Sequence, residues 1–75
     1  PYTDSHELSE REQDVLILLA KGLTNKEVAE RLYISIHTVN THRKNISHKT
    51  GIKSVAGLTI YAILHNLLDP AEVEL

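Results

Sequence analysis

The sequence predicts an all-α fold, a compact four-helix domain that contains a helix-turn-helix built from its second and third helices. Three observations carry this reading. Ser9, Thr24, Ser35 and Ser54 each stand just before a segment with helical apolar spacing, and Gly22 and Gly51 follow two of those segments. No stretch sustains the period-two alternation of a strand. A length of 75 residues allows only one compact core.

Ser9-Glu10-Arg11-Glu12 has the form of a capping box, in which the Ser9 hydroxyl accepts from a first-turn N–H while Glu12 reaches back. Glu10, Glu12 and Asp14 suit the positive end of the helix dipole. This helix is expected to run to Ala20 or Lys21 and to end at Gly22 in the left-handed conformation. Thr24-Asn25-Lys26-Glu27 repeats the box and opens a short helix to about Tyr33, with Val28, Ala29 and Leu32 on its apolar face. After a tight turn through Tyr33 and Ile34, Ser35 caps a third helix that runs to Thr50, ahead of Gly51. Ser54 caps a fourth, expected to end between Leu67 and Asp69, before Pro70. Residues 1–7 read as the remnant of a linker, 8–68 as the domain, and 69–75 as an acidic tail expected to fray. A start at Pro1 and the lack of methionine read as excision from a longer protein.

Composition removes several classes of function. Without cysteine there is no disulfide framework, thiol nucleophile or cysteine-ligated zinc. No apolar run approaches the roughly 20 residues of a membrane span, and no signal peptide opens the sequence. A nucleophile elbow, a Gly-rich phosphate loop and an HExxH motif are all missing. His37, His42 and His48 scatter around the third helix, which argues against a metal site. The expectation is a non-enzyme that uses no cofactor.

The net charge of −2 conceals an uneven distribution. Residues 1–30 carry Asp4, Glu7, Glu10, Glu12, Asp14, Glu27 and Glu30 against Arg11, Lys21 and Lys26. Residues 31–68 carry Arg31, Arg43, Lys44, Lys49 and Lys53, four of the five histidines and no acid. Asp69, Glu72 and Glu74 follow. An acid-free block of this length is a local positive field, which is what a polyanion senses. At about 100° per residue, Val39, His42 and Ile46 form one inward stripe on the third helix. His37, Asn40, Thr41, Lys44 and His48 lie opposite, a wholly polar face without acids. An ordinary solvated face alternates charge sign to gain i,i+4 pairs. This one instead offers amide, ammonium, hydroxyl and imidazole groups suited to base edges.

Helix-turn-helix geometry assigns the remaining roles. The third helix is the recognition helix in the major groove, and the second crosses the backbone. Asn40, Thr41, Lys44 and His37 are the candidate base contacts. Thr24, Asn25, Lys26, Ser35 and Thr38, at helix N-termini, and the flanking Arg43 and Lys49 are the candidate phosphate contacts. On the fourth helix Val55, Leu58, Ala62 and Ile63 cover a core face, while Gly57, Ile60, Tyr61, Leu64 and Leu68 cluster on the other side. A helix apolar all round is buried on both sides, so the second cluster reads as a homodimer face, with cover by a preceding domain as the alternative.

Leu8-Ser9-Glu10-Arg11-Glu12, Gly22-Leu23-Thr24-Asn25-Lys26-Glu27-Val28-Ala29, Leu32-Tyr33-Ile34-Ser35, Thr38-Val39-Asn40-Thr41-His42, Asn45-Ile46 and Gly51-Ile52-Lys53-Ser54 together closely resemble the LuxR/NarL-type (GerE-like) helix-turn-helix family. The resemblance covers residues 8–68. It implies a cytoplasmic bacterial transcription regulator, a two-component response regulator above all, whose C-terminal domain binds double-stranded DNA as a dimer at an inverted repeat. It also implies a preceding receiver or sensory domain, and it places Asn40, Thr41 and Lys44 at base edges and His42 in packing. Two residues depart from the family pattern. Thr50 stands where leucine is usual, which predicts looser packing, and His48 stands where Arg or Lys is common, which weakens a phosphate contact. A promoter-recognition module like sigma-factor region four and a protein-binding helical bundle remain alternative readings at this point.

Overall fold

The computed structural model describes residues 7–73. These form α1 (Glu10–Ala20), α2 (Asn25–Leu32), α3 (Ile36–Thr50) and α4 (Val55–Leu64), followed by one turn of 3-10 helix over Pro70–Glu72. All four α-helices begin at the expected cap. Both capping boxes close in both directions, with Glu12 N donating to Ser9 Oγ at 3.1 Å and Ser9 N to Glu12 Oε1 at 2.9 Å. The equivalent bonds between Thr24 and Glu27 are 3.1 and 2.8 Å. Ser35 Oγ and Ser54 Oγ each accept a first-turn N–H at 3.0 Å.

α1 is the central element and packs on the other three helices. Its Val15, Leu16 and Leu19 meet Val28 of α2, Val39 and Ile46 of α3, and Leu58 and Ala62 of α4, all buried. Ala29 of α2 is buried in the same core. The left-handed residue that ends α2 is Tyr33, with φ 59°, and Ile34 N then donates back to Ala29 O at 3.0 Å.

α4 is shorter than the sequence predicts. It stops at Leu64, and Asn66 adopts φ 60°. That turn lets Leu67 N donate to Ala62 O at 2.8 Å and Asn66 N to Ile63 O at 3.1 Å, a Schellman closure. The chain then folds back and buries Leu68 in the core, so Leu68 is not part of an outer face. Gly57 needs a second correction. A Cβ there would lie 2.6 Å from Ile52 Cγ2, so this glycine admits the chain's own α3–α4 loop rather than a partner helix.

The acidic tail is also more ordered than expected. Asp69 Oδ1 accepts from Ala71 N at 2.9 Å, and Lys21 Nζ lies 3.1 Å from Glu72 Oε2. Val73 is half-buried against the core. Residues 74–75, and all of the expected linker except Glu7, lie outside the described residues. Thr50 does more than replace a leucine. Its hydroxyl donates to Ile46 O at 2.8 Å and accepts from Ile52 N at 3.1 Å, which ties the last turn of α3 to the following loop.

One ion pair anchors α3 to the start of α1. Lys49 Nζ sits 2.7 Å from Glu12 Oε1, with the Glu12 side chain 6% exposed. Burial alone would raise the Glu12 carboxyl, but the hydrogen bonds from Lys49 and the Ser9 backbone, with the Lys49 charge, outweigh it and hold the group below the usual carboxylate range. A carboxyl with a depressed native pKa stabilises the fold above its unfolded value, and that stabilisation is lost as pH falls through the native one. Glu12→Gln keeps an acceptor for the Ser9 N–H and removes only the charge. It is expected to cost about 1–2 kcal/mol at pH 7, with the gap from wild type closing as pH falls through the lowered native value. Urea unfolding in a series from pH 7 down into acid checks this, and a gap that stays constant down to acid unfolding would contradict it.

Candidate nucleic-acid interface

Burial of Val39 and Ile46 rolls α3 so that its opposite face points away from the body. His37, Asn40, Thr41, Lys44 and His48 are all exposed on that face. With Arg43, Ser47 and Lys53 they line one open groove. No carboxylate is among the lining residues, which follows from the acid-free sequence of residues 31–68. Thr41 Oγ1 donates to His37 O at 3.1 Å, so its hydroxyl proton is used within the helix and its lone pairs and methyl remain for a ligand.

Thr24, Asn25 and Lys26, at the start of α2, border a second concave surface that Arg43 also lines. Arg43 therefore touches both surfaces. Its Nη1 donates to Asn25 Oδ1 at 2.9 Å, and Asn25 Nδ2 donates to Asn40 Oδ1 at 2.9 Å. Ser35 and Thr38 pair through their hydroxyls at 3.0 Å at the start of α3. His42 is half-buried, as its place on the inward stripe predicts, and among the described residues its buried Nδ1 has no hydrogen-bond partner.

Lys49 departs from its expected role. Its ammonium is bound by Glu12 Oε1 at 2.7 Å and by Glu7 O at 3.2 Å, on the side of α3 that faces α1, and it does not line the groove. Sequence reasoning placed Lys49 beside the stripe but had no means of seeing that a carboxylate from another helix waits there. It also missed Ser47 and Lys53 as groove residues. Lys53 was visible in the basic block, but only the turn at Gly51, with φ 75°, brings it back beside α3.

The outer side of α4 divides into exposed and packed parts. Ile60 is 58% and Leu64 74% exposed, whereas Tyr61 is half-buried and stacks on His65 with ring centroids 4.1 Å apart. Together with the corrections at Gly57 and Leu68, this reduces the expected apolar cluster to Ile60, Leu64 and the open edge of Tyr61.

The family of bacterial regulatory proteins designated luxR matches residues 6–62, a span that includes α1 to α3 and all the groove residues. The chain belongs to the luxR family. The luxR-family match agrees with the four-helix, helix-turn-helix architecture, and the family is one of DNA-binding transcription regulators rather than enzymes. The oxygen regulatory protein NreC of Staphylococcus aureus strains JH9, JH1 and Mu3 / ATCC 700698 is 47% identical to this luxR-family chain over 62 residues. That match takes in 83% of the chain and 29% of each relative, so the chain spans less than two thirds of the length of the relatives it matches.

Proposed function

We propose that the chain binds double-stranded DNA sequence-specifically, as the C-terminal effector domain of a bacterial two-component response regulator. The observation that carries the proposal is the open groove along α3, lined by polar and cationic side chains with no carboxylate. In this reading α3 lies in the major groove. Asn40, Thr41, Lys44 and His37 meet base edges, and Thr24, Lys26, Ser35, Thr38 and Arg43 hold phosphates on either side. Residues 8–68 form the binding unit, a receiver domain precedes it in the parent cytoplasmic regulator, and the greater length of the NreC relatives supports that arrangement.

Selection from a randomised duplex library, with the winners re-measured by anisotropy across a salt series, tests the reading. An enriched inverted repeat with a steep salt slope is the expected result. No enrichment and weak salt dependence would mean that the groove faces a protein.

Dimerisation in this proposal uses α4, through Ile60, Leu64 and the edge of Tyr61, in an isologous contact. Leu64 is the cleaner probe because it is 74% exposed, whereas Tyr61 packs against the core. Leu64→Glu is expected to leave the fold intact, shift sedimentation toward monomer and weaken binding to an inverted repeat more than to a single half-site. An unchanged sedimentation profile would remove α4 from the interface.

A further inference from the structure

The relay from Arg43 through Asn25 to Asn40 has a direction set by its chemistry. A guanidinium carries only donors, so Asn25 must turn its oxygen to Arg43 and its amino group to Asn40. Asn40 must then turn its oxygen toward Asn25, which turns its amino group, with two N–H donors, away from α2 as the better placed polar group for a ligand. Arg43 and Asn25 are both half-buried, so the anchored end of the relay is shielded from competing water, while Asn40 stands exposed in the groove.

Resting on the DNA-binding reading above, we propose that Asn25 is a specificity-determining positioning residue, which holds Asn40 as a hydrogen-bond donor aimed at an acceptor on a base edge. A free asparagine pairs with adenine by donating to N7 and accepting from the N6 amino group. Asn40 has one lone pair of its oxygen taken by Asn25 and that oxygen turned toward α2, which weakens the accepting half of that pairing. Guanine, with adjacent N7 and O6 acceptors, becomes its best partner. Adenine and thymine each keep one acceptor, and cytosine, which offers only its N4 donor, is the worst.

Asn25→Asp tests this in the 75-residue chain. An ionised aspartate still accepts from Arg43 but has nothing to donate, so Asn40 turns its amino group inward and its oxygen outward. The variant suits the first turn of α2, where the helix dipole favours a negative charge, and a circular dichroism melt verifies that it folds. The readout is anisotropy against duplexes in which each base pair of the selected half-site is varied singly. Lys26→Ala serves as the control for lost positive charge.

Wild type is expected to prefer guanine at one position per half-site. Asn25→Asp is expected to move that preference to adenine or cytosine by about fivefold or more, on top of a uniform loss of affinity. Lys26→Ala should show the uniform loss alone. If Asn25→Asp weakens every duplex equally while wild type still selects a sequence, the relay is overturned and DNA binding stands. If wild type binds DNA with no selection at all, both readings fall.

Discussion

Ile46→Ala is expected to destabilise the domain by about 2–5 kcal/mol and to abolish ordered recognition at temperatures where wild type is folded. Ile46 is 0% exposed and lies on α3, on the face turned toward α1. Removing its side chain deletes apolar contact and leaves a cavity that helices closed by capping boxes and an ion pair relax into poorly. A core of this size supplies only about 3–5 kcal/mol of net stability, so a loss in that range moves the chain close to its unfolding midpoint. Urea unfolding followed by circular dichroism checks it. A midpoint within error of wild type would mean that α3 is held chiefly by its polar anchors, Lys49 to Glu12 and Arg43 to Asn25.

The second large effect concerns binding rather than folding. Lys44→Ala is expected to cost about 1–3 kcal/mol at the selected site and to relax preference at one base position. Lys26→Ala is expected to weaken all sequences alike and to reduce the magnitude of the salt slope by about 1. The contrast follows from placement. Lys44 is exposed inside the α3 groove, whereas Lys26 stands exposed at the first turn of α2, beside the concave surface that Arg43 shares. Among the described residues neither side chain is tied to another element and both are exposed, so both variants are expected to keep the fold. Anisotropy on the selected and scrambled duplexes across a salt series measures both quantities. Exchange of the two patterns would reverse the assignment of base-reading and phosphate-holding helices.

Helix starts were legible because each depends on one side chain and an N–H three residues away. Ser9, Thr24, Ser35 and Ser54 all cap as their local sequence predicts. The outward face of α3 was legible for the same kind of reason, since apolar Val39 and Ile46 at helical spacing decide which side turns to solvent. Misreadings fell where a distant partner decides. Leu67 and Leu68 fit a continuing helix by periodicity, but Asn66 accepts a left-handed turn and the core draws Leu68 in. Gly57 fits a helix–helix contact by its size, yet the methyl of Ile52 already fills the space beside it.

The sequence by itself determined the four helices, the order in which they follow, the acid-free face and the family resemblance, because caps, periodicity and charge are properties of neighbours along the chain. Tertiary structure alone decided which cations remain available. Lys49 and Arg43 look equivalent on a helical wheel, but Lys49 is drawn into an ion pair with Glu12 of α1, while Arg43 donates to Asn25, which in turn donates to Asn40. Long side chains reach several ångströms from their helix, so the partner each one meets depends on how α1, α2 and α3 pack around the core, and local spacing does not encode that packing.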